Sequence, residues 1–151
     1  MTPAQFIAAI AAAARTSMAS TKIPASFTVA QAALESCWGA HAPGFNLFGI
    51  KADPSWHGPV TIQTTHEVVS GRTIEIQAKF RAYSGWLGSI ADHARFLTDN
   101  PRYRPAFGAA SGVRFASAVA AAGYATDPLY AAKIAAVINA HNLESLDRAG
   151  T

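Results

Sequence analysis

The sequence has few of the residues that stabilise a fold by covalent or ionic cross-links. It contains a single cysteine, Cys37, in 151 residues, so no disulfide can form within the chain. Only 14% of the residues are charged, while 50% are hydrophobic. This composition is typical of a globular chain with an apolar core and not of a disordered one. Apolar packing must therefore supply most of the stability.

Long apolar runs are also absent. No stretch reaches the ~18 apolar residues expected of a membrane-spanning helix, so the sequence predicts no membrane span. The longest apolar stretch, residues 6–14, has no Lys or Arg before it and is followed by Arg15. A signal peptide carries its positive charge before the apolar region. We therefore interpret this stretch as the first helix of the fold and expect no export signal in this sequence.

The positive charge is small and dispersed. The formal net charge is +3 and the sequence pI is about 9.3, which suits an anionic partner such as a cell wall or a nucleic acid. The basic residues form no run, so the charge pattern does not indicate nucleic-acid binding. The five histidines are far apart and lack the spacing of zinc ligands. We expect neither a metal nor an organic cofactor.

The periodicity of apolar residues predicts helices, then a β-hairpin, then helices. Helical spacing over about residues 2–18 and 24–36 predicts the first two helices, with Thr2 as a cap. Residues 39–59 are rich in Gly, Pro, Asn and aromatic residues and have no helical period. We interpret them as a structured loop that carries function.

The period changes to two from residue 60 onward. Alternation over residues 60–69 and 74–82 predicts a hairpin with one buried face, and it places Ile74 on that face and Arg81 on the polar one. Ser84 is expected to cap a helix that stops at Asn100, and two further helices are expected from Ser111 to Gly123 and from Asp127 to about Asn142. The sequence thus predicts one α+β domain over residues 1–151, a mainly helical body with a small hairpin lobe.

Nine carboxylates supply all the candidates for acid–base chemistry by Asp or Glu. Glu35 lies at the C-terminal end of an apolar helix, where the negative helix end and nearby apolar groups would raise its pKa. A raised pKa suits a general acid near neutral pH. The alternative is a solvated surface glutamate, which composition alone favours. Glu67 lies on the first strand, where periodicity alone favours an exposed residue on a solvated face.

The other carboxylates have simpler interpretations. Asp127 is expected to cap the last helix, and Asp92 and Asp99 are expected to be solvated. Asp53, in the loop, keeps a structural and a functional interpretation open.

Aromatic residues cluster around the loop and the helix junctions. The flat C–H faces of sugar rings pack on aromatic rings, but most of these residues are expected to belong to the core. Tyr124 is the exception, because it follows Gly123 at the end of a predicted helix. At such a turn its hydroxyl can reach a cleft.

The segment QAALESCWG at residues 31–39 resembles a motif of glycoside hydrolase family 73, a family of glucosaminidases. One departure is Cys37, where the motif commonly has Gly, and a positive φ there would strain the turn beside Glu35. The resemblance spans residues 31–130 and continues in order through segments 46–52, 56–60, 64–67, 79–83, 100–103 and 123–128.

The resemblance implies a lysozyme-like α+β fold in which the hairpin lobe flanks a cleft. It also implies hydrolysis of the β-1,4 bond between N-acetylglucosamine and N-acetylmuramic acid in peptidoglycan. Glu35 matches the catalytic acid of the family, Glu67 matches the candidate second carboxylate, and Tyr124 matches a tyrosine that lines the cleft. From this resemblance we predict that all three are catalytic residues. From the motifs we further predict contacts to the substrate by Trp38, Asn46, Phe48, Trp56, Tyr103 and Asp127.

Several alternatives remain open at this level. Glu67 fits a base for water, a nucleophile, or a charge that supports attack by the acetamido group of the substrate. The enzyme could also be a muramidase or a lytic transglycosylase on the same fold, and the domain could bind peptidoglycan without cutting it. We expect a monomer that acts on glycan strands at the cell wall or in the periplasm, as a phage endolysin or another cell-wall lytic enzyme.

Overall fold

In a computed structural model of the protein, which describes residues 1–148, one β-hairpin lies between two groups of helices. The last three residues of the expected 1–151 domain lie outside the described residues. This order confirms the predicted α+β fold with a helical body and a hairpin lobe. The elements are α1 (Pro3–Thr21), α2 (Ala25–Ser36), β1 (Val60–Val69), β2 (Arg72–Arg81), α3 (Trp86–Asp99), α4 (Gly112–Ala121) and α5 (Tyr130–Ala140), with short 3-10 helices at Pro43–Phe45, Pro101–Gly108 and Leu143–Asp147.

Two predicted helix caps are confirmed. Thr2 and Gln5 form a reciprocal capping box at the start of α1, and the Ser111 hydroxyl accepts a hydrogen bond from the first turn of α4. Such caps satisfy backbone N–H groups that have no partner within the helix. Helix α1 ends at Thr21 rather than near Met18, because the left-handed residue Lys22 closes it.

Two other predicted helix starts are wrong. Helix α3 begins at Trp86 with Gly85 in the cap position and no side-chain cap, so Ser84 does not cap it. Asp127 accepts a hydrogen bond from the backbone N–H of Leu129, but α5 begins only at Tyr130. The carboxylate therefore closes a turn that precedes the last helix.

Helix α2 is the central element of the core. Ten of its twelve residues are buried, and its small side chains let α1, α4 and α5 pack around it. Four of the ten buried residues are polar, so the helix is enclosed on all sides and not only along an apolar stripe. The ring of Phe27 packs against Phe115 of α4, with centroids 4.7 Å apart. Among residues 1–148, no helix is long and apolar enough to cross a membrane.

The chain leaves α2 through three successive residues in the left-handed region. Their φ angles are 49° at Cys37, 57° at Trp38 and 83° at Gly39. Strain was expected if the φ of Cys37 was positive, and it is. The left-handed conformation costs a residue with a Cβ roughly 1–2 kcal/mol of conformational free energy. The Ser36 hydroxyl accepts a hydrogen bond from the Gly39 N–H. This sharp reversal leaves Glu35 on the last turn of the helix.

The two strands form an antiparallel sheet in which Val60 pairs with Arg81 and Val69 pairs with Arg72. Alternation is confirmed near the base, where one face of the hairpin is half-buried. Burial falls toward the turn, so Ile74 is 39% exposed although it was predicted on the buried face. The period of a strand identifies its faces, but it does not show how far along the strand a face is covered.

Arg81 is buried, which corrects its predicted place on a solvated polar face. Its guanidinium donates hydrogen bonds to Asp92 Oδ2 at 3.0 Å and to the Lys51 carbonyl at 3.1 Å, and it lies 3.4 Å from Asp53 Oδ2. The base of that face is covered by α3 and by the loop before the hairpin. One side chain thus connects three segments of the chain.

Asp92 is also buried, with 5% of its surface exposed, and is not solvated as predicted. Its Oδ2 accepts a hydrogen bond from the Tyr83 hydroxyl at 2.6 Å in addition to the one from Arg81. Asp92 lies three residues after the buried Ser89, a spacing that places both on one side of α3. Burial and the Asp92 carboxylate both raise the pKa of Tyr83, so its hydroxyl stays a neutral donor.

Replacing Asp92 by Ala should lower the free energy of unfolding by about 3–5 kcal/mol, because the buried Arg81 guanidinium loses its main counter-ion. Asp99→Ala is the matched control, since Asp99 is exposed on the same helix, and it should change stability by less than about 0.5 kcal/mol. Urea unfolding followed by circular dichroism measures both. Similar losses in the two variants would contradict a structural role for the ion pair.

Candidate active site

A groove runs between the helical body and the base of the hairpin. Its first part is a cavity of about 500 Å³ that contains Glu35. A second cavity of about 500 Å³ shares Asp53, Arg81 and Phe96 with the first and continues toward Trp56. We refer to these two joined cavities as the groove. It is lined by the end of α2, the loop at residues 39–59, the end of β2, α3, the segment that follows α3, and the segment between α4 and α5.

A larger cavity of about 750 Å³ lies beside α1, away from Glu35. Its only carboxylate among the described residues is that of Asp147. Both oxygens of this carboxylate accept hydrogen bonds from Ser26, one from the backbone N–H and one from the hydroxyl. This cavity therefore offers no free acid, and we place the candidate site in the groove.

Glu35 is open to the groove on one side and packed against tyrosines on the other. The Tyr130 hydroxyl donates a hydrogen bond to Glu35 Oε1 at 2.7 Å. Loss of water around the carboxyl raises the pKa of Glu35, and the hydrogen bond from Tyr130 offsets only part of that rise. A carboxyl with a raised pKa keeps its proton closer to neutral pH, as a general acid requires.

Three tyrosines form the wall behind Glu35. The rings of Tyr124 and Tyr130 stack with centroids 5.8 Å apart, and Tyr103 packs on Tyr124 at 5.9 Å. Burial raises the pKa of Tyr124 and of Tyr130, so both hydroxyls stay neutral. Among the described residues the Tyr124 hydroxyl has no hydrogen-bond partner, and Tyr124 lines the groove. Tyr124 therefore contributes to the wall that a ligand in the groove would meet.

Glu67 lies beside the groove rather than in its lining. It is on the hairpin face that is half-buried near the base, and its Oε1 is 3.6 Å from the Nζ atom of Lys51, which does line the groove. About half of each side chain in this ion pair is exposed, and such pairs stabilise a fold by only about 0–1 kcal/mol. The pair therefore places the Glu67 carboxylate next to one residue of the groove lining, and it does not fix the hairpin.

Three of the residues predicted to contact substrate line the groove. Phe48 and Tyr103 belong to the cavity that contains Glu35, and Trp56 belongs to the second cavity. The indole N–H of Trp56 donates to the Pro59 carbonyl at 2.8 Å, and its ring lies 5.0 Å from the Arg81 guanidinium. Trp56 is thus packed against the same arginine that connects the hairpin to α3.

Asn46 lies close to the groove, but its amide is fully used within the protein. Its Nδ2 donates to the carbonyls of Ile50 and Arg81, both at 2.9 Å. Its Oδ1 accepts from the backbone N–H groups of Phe48 and Ile50. Asn46 is also buried. These contacts shape the loop that presents Phe48, and they leave no polar atom for a ligand.

Trp38 and Asp127 are not among the residues that line the groove. Trp38 packs edge-on against Phe6 at 5.9 Å and His141 at 4.8 Å. Asp127 pairs with Lys133 at 2.6 Å. These contacts give no support to a role for either residue in binding substrate.

Sequence analysis missed the hydrogen-bonding partners of Glu35. Tyr130 is bound in turn by Gln31, whose Nε2 donates to its hydroxyl at 2.8 Å, and His93 Nε2 lies 2.6 Å from Gln31 Oε1. Gln31 lies four residues before Glu35 on α2, so the two share a helix face. A Gln one helical turn before the candidate acid, in an Ala-rich segment, was the signal that the sequence offered.

The described residues contain no group of three or more His, Cys, Asp or Glu side chains that could hold a metal ion. The cavity that contains Glu35 offers instead one carboxyl with a raised pKa, aromatic walls, and the cations Lys51, Arg81 and Arg102. This arrangement can protonate a leaving oxygen on a ligand that stacks on aromatic rings.

A sequence model of the glucosaminidase family, described as mannosyl-glycoprotein endo-beta-N-acetylglucosaminidase, matches residues 11–143. The peptidoglycan hydrolase FlgJ of Salmonella typhimurium is 42% identical over 140 residues, which cover 88% of this chain and 44% of FlgJ. The exo-glucosaminidase LytG of Bacillus subtilis is 40% identical over 130 residues, which cover 81% of this chain and 45% of LytG. The chain thus spans less than half the length of either relative.

A solved structure of the glycoside hydrolase domain of Salmonella typhimurium FlgJ, truncated at its C-terminus, has a similar fold. The TM-score is 0.79 at 41% identity, and the match covers 91% of this chain and 96% of that domain. These findings confirm the resemblance seen in the motifs. Since the family match covers most of the described residues and the solved domain shares the fold, the chain belongs to the glucosaminidase family of glycoside hydrolases.

Proposed function

We propose that this chain cleaves the β-1,4 bond between N-acetylglucosamine and N-acetylmuramic acid within peptidoglycan strands, with Glu35 as the proton donor. The observation that carries the proposal is the position of Glu35 in an open groove, with a raised pKa and with Tyr130 bound to one oxygen. The names of FlgJ, a peptidoglycan hydrolase, and LytG, an exo-glucosaminidase, support the substrate class.

In the first step, the protonated Glu35 transfers its proton to the glycosidic oxygen while the bond from that oxygen to the sugar carbon breaks. The proton leaves with the departing sugar as a hydroxyl, and Glu35 becomes a carboxylate. The hydrogen bond from Tyr130 then faces a full negative charge and strengthens. The contact therefore stabilises the state that forms as the bond breaks.

The positive charge that develops on the sugar needs a group on its other face. Glu67 is our candidate for this role, as a base for water, as a nucleophile, or as a charge that supports the acetamido group of the substrate. Lys51 already holds Glu67 beside the groove. Asp53 lines the groove as well, and hydrogen bonds from Ser55 together with the charge of Arg81 lower its pKa. Asp53 is thus an ionised carboxylate that is already bound by Ser55 and Arg81.

On this proposal the enzyme acts at the cell wall or in the periplasm as a monomer, and it is a phage endolysin or another cell-wall lytic enzyme. Tyr124, which lines the groove beside Glu35, would contact the sugar next to the cut. Phe48, Trp56 and Tyr103 would supply the surfaces on which sugar rings pack.

Glu35→Gln should lower the rate of peptidoglycan cleavage by about 10²–10⁴-fold, because the amide cannot donate a proton as an acid. The assay is digestion of purified peptidoglycan, reduction with borohydride and mass spectrometry of the products. With the native protein, N-acetylglucosaminitol ends on fragments cut from the interior of glycan strands support the proposal. N-acetylmuramitol ends would indicate a muramidase, anhydromuramyl ends a transglycosylase, and wall binding without new ends a binding module.

The same variant has a defined effect on stability. The raised pKa of Glu35 means that the folded state binds its proton more tightly than the unfolded state does. Stability of the native protein therefore falls as pH rises from the ordinary glutamate pKa through the raised one, and stays lower above it. Glu35→Gln should avoid this loss, so it should be at least as stable as the native protein at neutral pH. A large loss of stability would mean that inactivity reflects unfolding.

Glu67→Gln should lower the cleavage rate by about 10²-fold, whereas Glu75→Gln should leave it within about twofold. Glu75 is a matched control because it lies on the same hairpin but pairs with His66 on the opposite face, while Glu67 pairs with Ile74. Initial rates of peptidoglycan solubilisation measure both. Equal rates in the two variants would remove Glu67 from the mechanism, and a larger loss in Asp53→Asn would transfer its role to Asp53.

A further inference from the structure

Three buried polar side chains lead in a line from the core to Glu35. His93 on α3 contacts Gln31 on α2 at 2.6 Å, Gln31 contacts Tyr130 on α5 at 2.8 Å, and Tyr130 contacts Glu35 Oε1 at 2.7 Å. Gln31 and His93 are 0% exposed and Tyr130 is 5% exposed. Water cannot exchange with these groups freely, so each hydrogen bond constrains the direction of the next one.

The donor and acceptor in each of these hydrogen bonds follow from the protonation state of His93. Burial lowers the pKa of His93 to about 3, so the ring is neutral and carries one N–H. Within residues 1–148, Nδ1 is buried and has no hydrogen-bond partner. The ring is stacked on Phe48 with centroids 3.7 Å apart and planes at 9°, and Phe27 stacks at 6.3 Å and 20°.

The stacked rings leave Nδ1 without an acceptor, and this determines which ring nitrogen of His93 carries the hydrogen. An N–H lies in the plane of its ring, so in this parallel stack it cannot point at the face of either phenylalanine. A buried N–H without an acceptor is rarer in proteins than a buried acceptor without a donor. The hydrogen therefore belongs on Nε2, where Gln31 Oε1 accepts it.

The orientation of Gln31 follows from that tautomer. Its oxygen is used by His93, so its NH₂ group faces Tyr130 and donates to the hydroxyl oxygen. A tyrosine hydroxyl has one hydrogen. Since Gln31 is a donor, that hydrogen is directed to Glu35 Oε1.

We propose that Gln31, oriented by His93, is a positioning residue that keeps the catalytic proton of Glu35 on Oε2, the oxygen left for the groove. Oε1 already faces the hydrogen of Tyr130 and cannot carry a second hydrogen toward it. If Gln31 were reversed, Tyr130 would donate to Gln31, and the proton of Glu35 would be drawn to Oε1, toward Tyr130. The inference rests on the proposed function of Glu35 as the acid.

The groups that face Glu35 come from several elements. Tyr124 and Tyr130 lie behind it, and the groove also contains Tyr103. The other charged groups that line the cavity containing Glu35 are Lys51, Asp53, Arg81 and Arg102, and the second cavity adds Asp92, Arg95 and Asp99. All of them are retained when Gln31 is changed. A change in the pH profile of a Gln31 variant therefore reports on the hydrogen-bond direction and not on a removed charge.

Gln31→Met keeps the length of the side chain but removes the donor to Tyr130. The protonated Glu35 can then donate to Tyr130, which raises the pKa of Glu35 further and turns its proton away from the groove. We expect kcat to fall about 10- to 100-fold, the factor expected for a hydrogen bond to a charged group, with KM within about twofold. The basic limb of the pH profile, where Glu35 loses its proton, should move to higher pH.

Phe27→Leu is the matched control. Phe27 is buried on the same helix and its ring stacks on His93 at 6.3 Å, but it makes no hydrogen bond with the three polar side chains. It should destabilise the core and leave the basic limb in place. If both variants lose activity in proportion to their loss of stability, with the basic limb unmoved, Gln31 is only structural and the inference fails.

A second measurement needs neither activity nor a variant. The ¹⁵N shifts of the histidine ring distinguish the two neutral tautomers, and His93 in the native protein should carry its hydrogen on Nε2 from acidic to neutral pH. A hydrogen on Nδ1, or a protonated ring, would overturn the inference even if the native protein cleaves peptidoglycan. If it cleaves no peptidoglycan, the proposed function fails, and the tautomer still tests the hydrogen-bond direction.

Discussion

The hydrogen bond from Tyr130 to Glu35 connects the end of α2 to the start of α5, and the chemistry of the groove depends on it. It exists because the small residues of α2 let the surrounding helices pack closely. The tyrosine wall removes water from the carboxyl and raises its pKa, while the hydroxyl of the same wall offsets part of the rise. The raised pKa keeps the proton on Glu35 to higher pH than an ordinary glutamate does, and the hydrogen bond from Tyr130 stabilises the carboxylate once the proton has left.

The opposite side of the groove depends on a different interaction, the buried pair of Arg81 and Asp92. Arg81 brings together the base of the hairpin, α3 and the loop that carries Lys51 and Asp53. The far half of the hairpin is solvated on both faces. The site therefore combines a rigid acid with a second carboxylate, Glu67, on an element that is fixed only at its base.

Periodicity was sufficient to predict the five α-helices apart from the starts of α3 and α5, the hairpin, and the end of α2 on which Glu35 lies. It failed at Arg81 and Asp92, because a repeat identifies the faces of an element but not which part of a face another element covers. The line from His93 through Gln31 to Tyr130 joins residues far apart in the chain, and no local pattern encodes such contacts. Trp38 is a predicted substrate contact that the structure does not support. It follows Glu35 closely in a shared motif, yet it packs against Phe6 and His141 outside the groove lining.

The most direct test of this account is the pKa of Glu35 in the free protein, measured by following its side-chain carboxyl carbon by ¹³C NMR over pH. The structure predicts a midpoint above the ordinary glutamate value of 4.5, because loss of water outweighs the hydrogen bond from Tyr130. A midpoint at or below that value would mean that Glu35 is ionised when substrate binds. It would contradict the assignment of Glu35 as the proton donor.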